Sequence, residues 1–198
     1  ANVVSVSGEG SSITFTAPVT TINSNYNAST TALSMNGGYV AGTPGVTVNS
    51  KDLIVYSGLG QNSSAIFLSG ANVNKPDTLN VTGNLTLYGR ASQSGAALRS
   101  GGGGSVVNVS GLTTINVTSS GNQEAIRNLG KMFFNDVALN MNGIGVAIRN
   151  NKNMSISGDL TVNATSGEVI NQNGGDLFIE GLTVLNKTGT GTAINNIN

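Results

Sequence analysis

The sequence predicts an all-β chain, a parallel β-solenoid with three short strands in each of about seven coils. Two observations carry this. Apolar and polar residues alternate in short bursts, as in Thr78-Leu79-Asn80-Val81-Thr82 and Asn84-Leu85-Thr86-Leu87-Tyr88, the period of two that marks strands, and no stretch sustains helical spacing. A marker of one small residue followed by Ile or Leu recurs as Ala32-Leu33, Ala65-Ile66, Ala97-Leu98, Ala125-Ile126, Ala147-Ile148, Val169-Ile170 and Ala193-Ile194, at steps of 33, 32, 28, 22, 22 and 24 residues.

The first strand of each coil, strand A, is expected around Phe15, Val48, Val81, Val109, Phe134, Ile156 and Ile179. Its apolar partners two residues earlier are Ile13, Val46, Leu79, Val107, Met132, Met154 and Leu177. Strand B is expected around Ile22, Val55, Leu87, Ile115, Leu139, Val162 and Val184, and strand C carries the marker. The A-to-B spacing is five to seven residues and the B-to-C spacing eight to eleven, while the C-to-A connection varies from 15 down to 8. With about 4.8 Å per coil, seven coils make a rod on the order of 35 Å long. Val4 falls where strand C of a preceding coil is expected, so residues 1–12 read as the remnant of that coil and 13–198 as a single solenoid domain. The pattern is already running at both ends, which fits a fragment of a longer chain.

The composition agrees with this plan. The 198 residues are 38% hydrophobic, 5% aromatic and 9% charged, with 28 Gly. Inward columns take Val, Ile, Leu or Phe, and corners take Gly, Asn and Asp, which tolerate positive φ. Asn128, Asn150, Gln172 and Asn196 each follow the strand-C Ile by two residues and are expected to stack as a corner ladder. Nine Lys and Arg balance nine Asp and Glu, so net charge directs the chain neither to nucleic acid nor to an anionic membrane. There is no Cys and no His, which removes thiolate metal sites, disulfides and imidazole-based catalysis. No apolar run reaches the roughly 18 residues of a membrane span.

The runs LNVTGNLTL, VNVSGLTTINVTSSG and MSISGDLTVNATSG resemble the passengers of Gram-negative type V secretion. They are most similar to filamentous-haemagglutinin-like exoproteins and the high-molecular-weight adhesins exported by two-partner secretion. The resemblance covers residues 13–198. It implies a right-handed parallel β-helix, secreted or held at the bacterial surface, that binds host glycans, matrix proteins or other cells. It also implies modification at Asn-x-Ser/Thr sequons. Nine occur, and strand parity turns Asn116 and Asn163 outward, making them the best placed.

Several residues stand out as candidates. Arg99, Arg127 and Arg149 each follow the inward strand-C residue, so parity puts three of the four arginines in one outward column, suited to a sialylated or sulfated glycan. The bland reading of that column is a solvated face. Tyr56 and Tyr88 follow strand B in adjacent coils and are expected to stack, as a sugar platform or a packing pair. The long connections Met35 to Pro44, with Tyr39, and Leu68 to Asp77 leave the same corner of neighbouring coils, a usual seat of binding. Asp136 and Asp159 share a corner position with Asp52 and are spaced like a glycosidase pair, but Asp at such a corner is ordinary turn chemistry. Gly101 to Gly104 lacks the Lys-Ser/Thr of a phosphate loop and reads as a connection.

The expected protein is thus a non-catalytic adhesin fragment without cofactor or metal. Its expected partners are a host glycan or matrix protein, with self-association through open coil ends. A structural stalk is the first alternative and a β-helix carbohydrate-active enzyme the second.

Overall fold

A computed structural model describes residues 2–25, 27–37, 44–70, 72–118 and 121–197. The described residues contain strands and no helix. In chain order the strands begin with β1 (Asn2–Ser7), β2 (Ser12–Thr14), β3 (Val19–Asn23), β4 (Thr31–Asn36), β5 (Thr47–Ser50), β6 (Asp52–Tyr56) and β7 (Ser64–Leu68). Then come β8 (Asp77–Val81), β9 (Leu85–Gly89), β10 (Ser94–Ser100), β11 (Ser105–Val117), β12 (Asn122–Asn128), β13 (Lys131–Met141) and β14 (Val146–Asn150). The last are β15 (Asn153–Ile156), β16 (Leu160–Ala164), β17 (Glu168–Gln172), β18 (Leu177–Ile179), β19 (Thr183–Lys187) and β20 (Ile194–Asn196).

All pairings are parallel and in register. One sheet runs β1-β4-β7-β10-β12-β14-β17-β20 and holds the marker: Val4, Leu33, Ile66, Leu98, Ile126, Ile148, Ile170 and Ile194 lie side by side along it. The second, twelve-stranded sheet holds the A and B strands together. It is continuous because β11 and β13 each run through both positions without a break. Ser110 and Gly111 of β11 face the single Asn135 of β13, and this bulge absorbs the extra residue where the sheet turns.

The core lies between the sheets. Leu33, Leu53, Ile66, Leu79, Leu87, Leu98, Ile115, Ile126 and Met132 are fully buried. The marker has a structural reason. Ala32, Ala65, Ala97, Ala125 and Ala147 are buried along with the Leu or Ile that follows each one. Two consecutive buried side chains break strict alternation, and the first of them is Ala in five coils and Val169 in the sixth.

Two expected phases are corrected. In the second coil Val48 pairs with Leu79 and lies beside Ile13, while Ser50 pairs with Val81. Strand A is therefore centred on Ser50 there, with Val48 rather than Val46 as its inward partner. The apolar Val46-Val48 alternation concealed this, because Ser50 is a polar residue at a buried position, satisfied by donating its hydroxyl to the Asp52 carbonyl at 3.1 Å. In the last coil Leu185, not Val184, pairs with Val162. Two adjacent apolar residues left that register open to sequence reasoning.

Side-chain ladders bind coil to coil. The corner ladder forms over three of its four expected members: Asn128 Nδ2 donates to Asn150 Oδ1 at 2.7 Å and Asn150 Nδ2 to Gln172 Oε1 at 2.9 Å, with Ser100 Oγ donating to Asn128 Oδ1 at 3.3 Å, but Gln172 Nε2 turns to the Gly174 and Gly175 carbonyls at 3.0 and 2.7 Å and not to Asn196. Asn128 and Asn150 are fully buried, so these bonds satisfy amides that water cannot reach. A second ladder joins Asn108 to Asn80 at 2.8 Å and Asn80 to Asn49 at 2.9 Å.

At the A-to-B corner, Asp52 Oδ1 accepts the Asn84 N–H at 2.7 Å and Asn84 Oδ1 accepts the Leu112 N–H at 2.9 Å. A Cβ on Gly83 would stand 2.0 Å from Asp52 Oδ1, so glycine is required by that close approach. The carboxylate of buried Asp77 accepts the N–H groups of Gly37 at 3.0 Å, Val46 at 3.1 Å and Gly70 at 2.9 Å, and the Ser69 hydroxyl at 3.1 Å. It thereby fixes the ends of both long connections.

Ile126 tests the stacking, since it is fully buried and flanked by Leu98 and Ile148. Ile126→Asp is expected to cost roughly 3–5 kcal/mol by placing an unpaired charge in the core. Ile126→Val is expected to cost only about 0.5–1.5 kcal/mol. Chemical denaturation reads both, and an aspartate variant with an unchanged midpoint would contradict the stacking.

Candidate functional site

The three arginines occupy one outward column. Arg99 pairs with Arg127 and Arg127 with Arg149, and the column continues to Phe67 on one side and to Asn171 and Asn195 on the other. The Arg99 guanidinium carbon lies 5.3 Å from the Phe67 ring centroid, in cation–π range. Its Nε is buried and has no hydrogen-bond partner among the described residues.

Glu124 changes the electrostatics of this strip, and sequence reasoning missed it. Its carboxylate accepts Arg149 Nε at 2.6 Å and lies 3.8 Å from Arg127 Nε, while its side chain is only 11% exposed. By simple parity Glu124 should face inward with Ile126. The break of alternation at Ala125 brings it to the arginine side instead. The doubled burial at each marker was the available signal. The pairing leaves Arg99 as the arginine of the strip without a carboxylate contact among the described residues. A cleft of about 170 Å³ lies between Arg99, Arg127 and Glu124, walled by Asn62, Ser94 and Asn122.

Tyr56 and Tyr88 stack with ring centroids 4.3 Å apart and planes 3° from parallel. Their facing ring surfaces are therefore covered by each other. Arg90, the fourth arginine, stands 5.1 Å over Tyr56. It donates from Nη2 to Asn23 Oδ1 at 3.0 Å, the Ser24 carbonyl at 2.9 Å and the Ser57 carbonyl at 2.7 Å. Burial pulls its basicity below the ordinary arginine value, and the neighbouring Tyr56 partly offsets this. Arg90 thus clamps three coils together, a role with no marker in the sequence.

The tyrosines and the sequon asparagines share one column. Asn23, Tyr56, Tyr88, Asn116, Asn140, Asn163 and Asn186 follow one another in register. The four last form an exposed amide ladder: Asn140 donates to Asn116 at 2.9 Å, Asn163 to Asn140 at 3.0 Å and Asn186 to Asn163 at 2.9 Å. Asn116 and Asn163, read as separate modification sites, are members of this ladder.

The carboxylates of Asp136 and Asp159 serve the corner. Asp136 Oδ1 accepts the Asp159 N–H and Asp159 Oδ1 accepts the Leu182 N–H, both at 2.8 Å. Tyr39 and most of its connection lie outside the described residues. In the other connection, Asn72 Oδ1 accepts the Asn74 N–H at 3.0 Å in an Asx turn.

No family model, curated protein or solved structure matches this chain.

Desolvation first, then the charge and hydrogen bonding of Tyr56, hold the Tyr88 phenol above its ordinary value of 10.0. The folded chain therefore keeps this proton more tightly than the unfolded chain. Its contribution is complete below pH 10 and is lost as pH rises through and beyond the raised value. Tyr88→Phe is expected to flatten the alkaline fall in stability relative to the parent. Urea unfolding across that range checks it, and identical slopes would mean the phenol is unperturbed.

Proposed function

We propose that this chain is part of the right-handed, three-stranded β-helical passenger of a secreted or surface-attached bacterial adhesin, and that it binds acidic host glycans without catalysis. The parallel register of every strand supports the helical winding, and parallel crossovers in one sheet are right-handed in about 98% of cases. The repeat style of the sequence supports the adhesin family and its secreted location.

The observation that carries the glycan reading is the arginine strip. Arg99, with an unpartnered buried Nε, opens onto a polar cleft beside Arg127. A planar carboxylate or sulfate suits guanidinium donors. Exposed ion pairs contribute only about 0–1 kcal/mol each, so useful adhesion comes from several contacts and many copies on one surface. Glu124 competes with the ligand for Arg127 and Arg149 and keeps the strip ordered when empty.

Arg99→Ala is expected to lower affinity for sialylated or sulfated oligosaccharides by about two- to fivefold, the loss of one exposed ion pair. Glu124→Gln is expected to raise affinity, since it frees two guanidiniums. Both effects should shrink between low and physiological salt. A glycan array followed by titration measures them. Parent-like binding by both variants would assign the strip to solvation alone.

A further inference from the structure

A second groove lies on a different face from the arginine strip, and nothing in the adhesin reading assigns it. It follows the exposed amide ladder and has a volume of about 390 Å³. One wall is the row Asn116, Asn140, Asn163 and Asn186. The opposite wall is the row two residues on, Thr118, Asn142, Thr165 and Thr188. Between them run Val117, Met141 and Ala164, whose side chains are almost wholly buried in the apolar core. No charged side chain lines the groove among the described residues.

We propose that this groove binds a neutral, unbranched oligosaccharide lying along the axis of coil stacking. Three properties select that class. The lining is amphipathic in the same sense as a pyranose ring: most of its accessible surface is apolar, for the C–H face, and the Asn amides and Thr hydroxyls serve the sugar hydroxyls. Asn140 and Asn163 each use one N–H and one carbonyl lone pair within the ladder, Asn116 only accepts and Asn186 only donates, so every member keeps at least one N–H and one lone pair for a ligand. The walls repeat at the interstrand distance of about 4.8 Å, so successive sugar units of an extended chain meet equivalent donors and acceptors.

A peptide fits less well. Of the strands beneath the groove, β11, β13 and β16 are paired on both sides, so along them no backbone edge is offered for strand addition. An acidic polymer would meet no cation in the lining itself; Lys187 adjoins it in the last coil, in register with Ala164, and its Nζ donates to the Gly189 carbonyl. Tyr88 adjoins the end of the groove, paired in register with Asn116. One of its faces is covered by Tyr56, and the other is turned along the column toward that end.

The test uses the whole chain and β-1,4-linked glucose and N-acetylglucosamine oligomers of two to six units, titrated by calorimetry. Affinity is expected to rise with oligomer length and to be insensitive to salt. Thr165→Arg and, independently, Thr118→Arg are expected to weaken binding at least tenfold by filling the groove. Arg99→Ala is expected to leave it unchanged. Circular dichroism and the melting temperature confirm folding, and two separate blocking positions guard against one that misfolds. Absence of binding to every oligomer, an affinity independent of length, or full binding by both blocked variants would overturn the proposal. Loss of neutral binding only with Arg99→Ala would move the site to the strip. Acidic-glycan binding without neutral binding would refute the groove and leave the strip standing.

Discussion

Parallel, in-register stacking of like on like is the constraint on which everything else depends. Leu33, Ile66, Leu98, Ile126, Ile148 and Ile170 are aligned in one column, and the paired strands of the second sheet align their own equivalents in the same way. Apolar columns then bury themselves, and amides in a column find partners at hydrogen-bond distance. Identical charges in a column repel one another and need a counter-charge. The protein meets this cost at the arginine strip with Glu124 and at the adjacent Asp136 and Asp159 with backbone N–H donors, while other outward columns carry Asn. The low content of charged residues, 9%, follows from that geometry.

The parallel plan was legible in the sequence because its signals are periodic. The marker column is recovered residue for residue, including Val4 as the start of the series, and so is the buried Asn128–Asn150–Gln172 ladder. What escaped was aperiodic. Ser50 sits at a buried position with its own hydrogen bond, and an apolar pattern has no way to mark it. The Ala125 bend turns Glu124 toward the arginines, against a parity rule that holds only along an unbroken strand. Arg90 acts through carbonyl oxygens, which every residue carries, so no partner type announces it. The sharing of one column by Tyr56, Tyr88 and the exposed asparagines was within reach of spacing alone, since all follow strand B by one residue.

Two faces of the molecule have different chemistry. The arginine face offers fixed charge, tempered by one carboxylate. The amide face offers neutral donors and acceptors amid largely apolar surface. They lie on different sheets, the first on the marker sheet and the second on the curled one. Each is extended along the stacking axis, so each presents repeated copies of one chemical group rather than a single pocket.

The Asp77 clasp has a consequence for what the corner can carry. One buried carboxylate holds the N–H of Gly37 and the N–H of Val46, and so ties the two stems of the first long connection to each other. A longer segment grafted at 38–43 would leave those four hydrogen bonds and the coils on either side intact. Loop closure adds only about 0.6 kcal/mol for each doubling of length. The clasp thus makes this corner an insertion port, where foreign peptides can be displayed on a frame that does not register their presence.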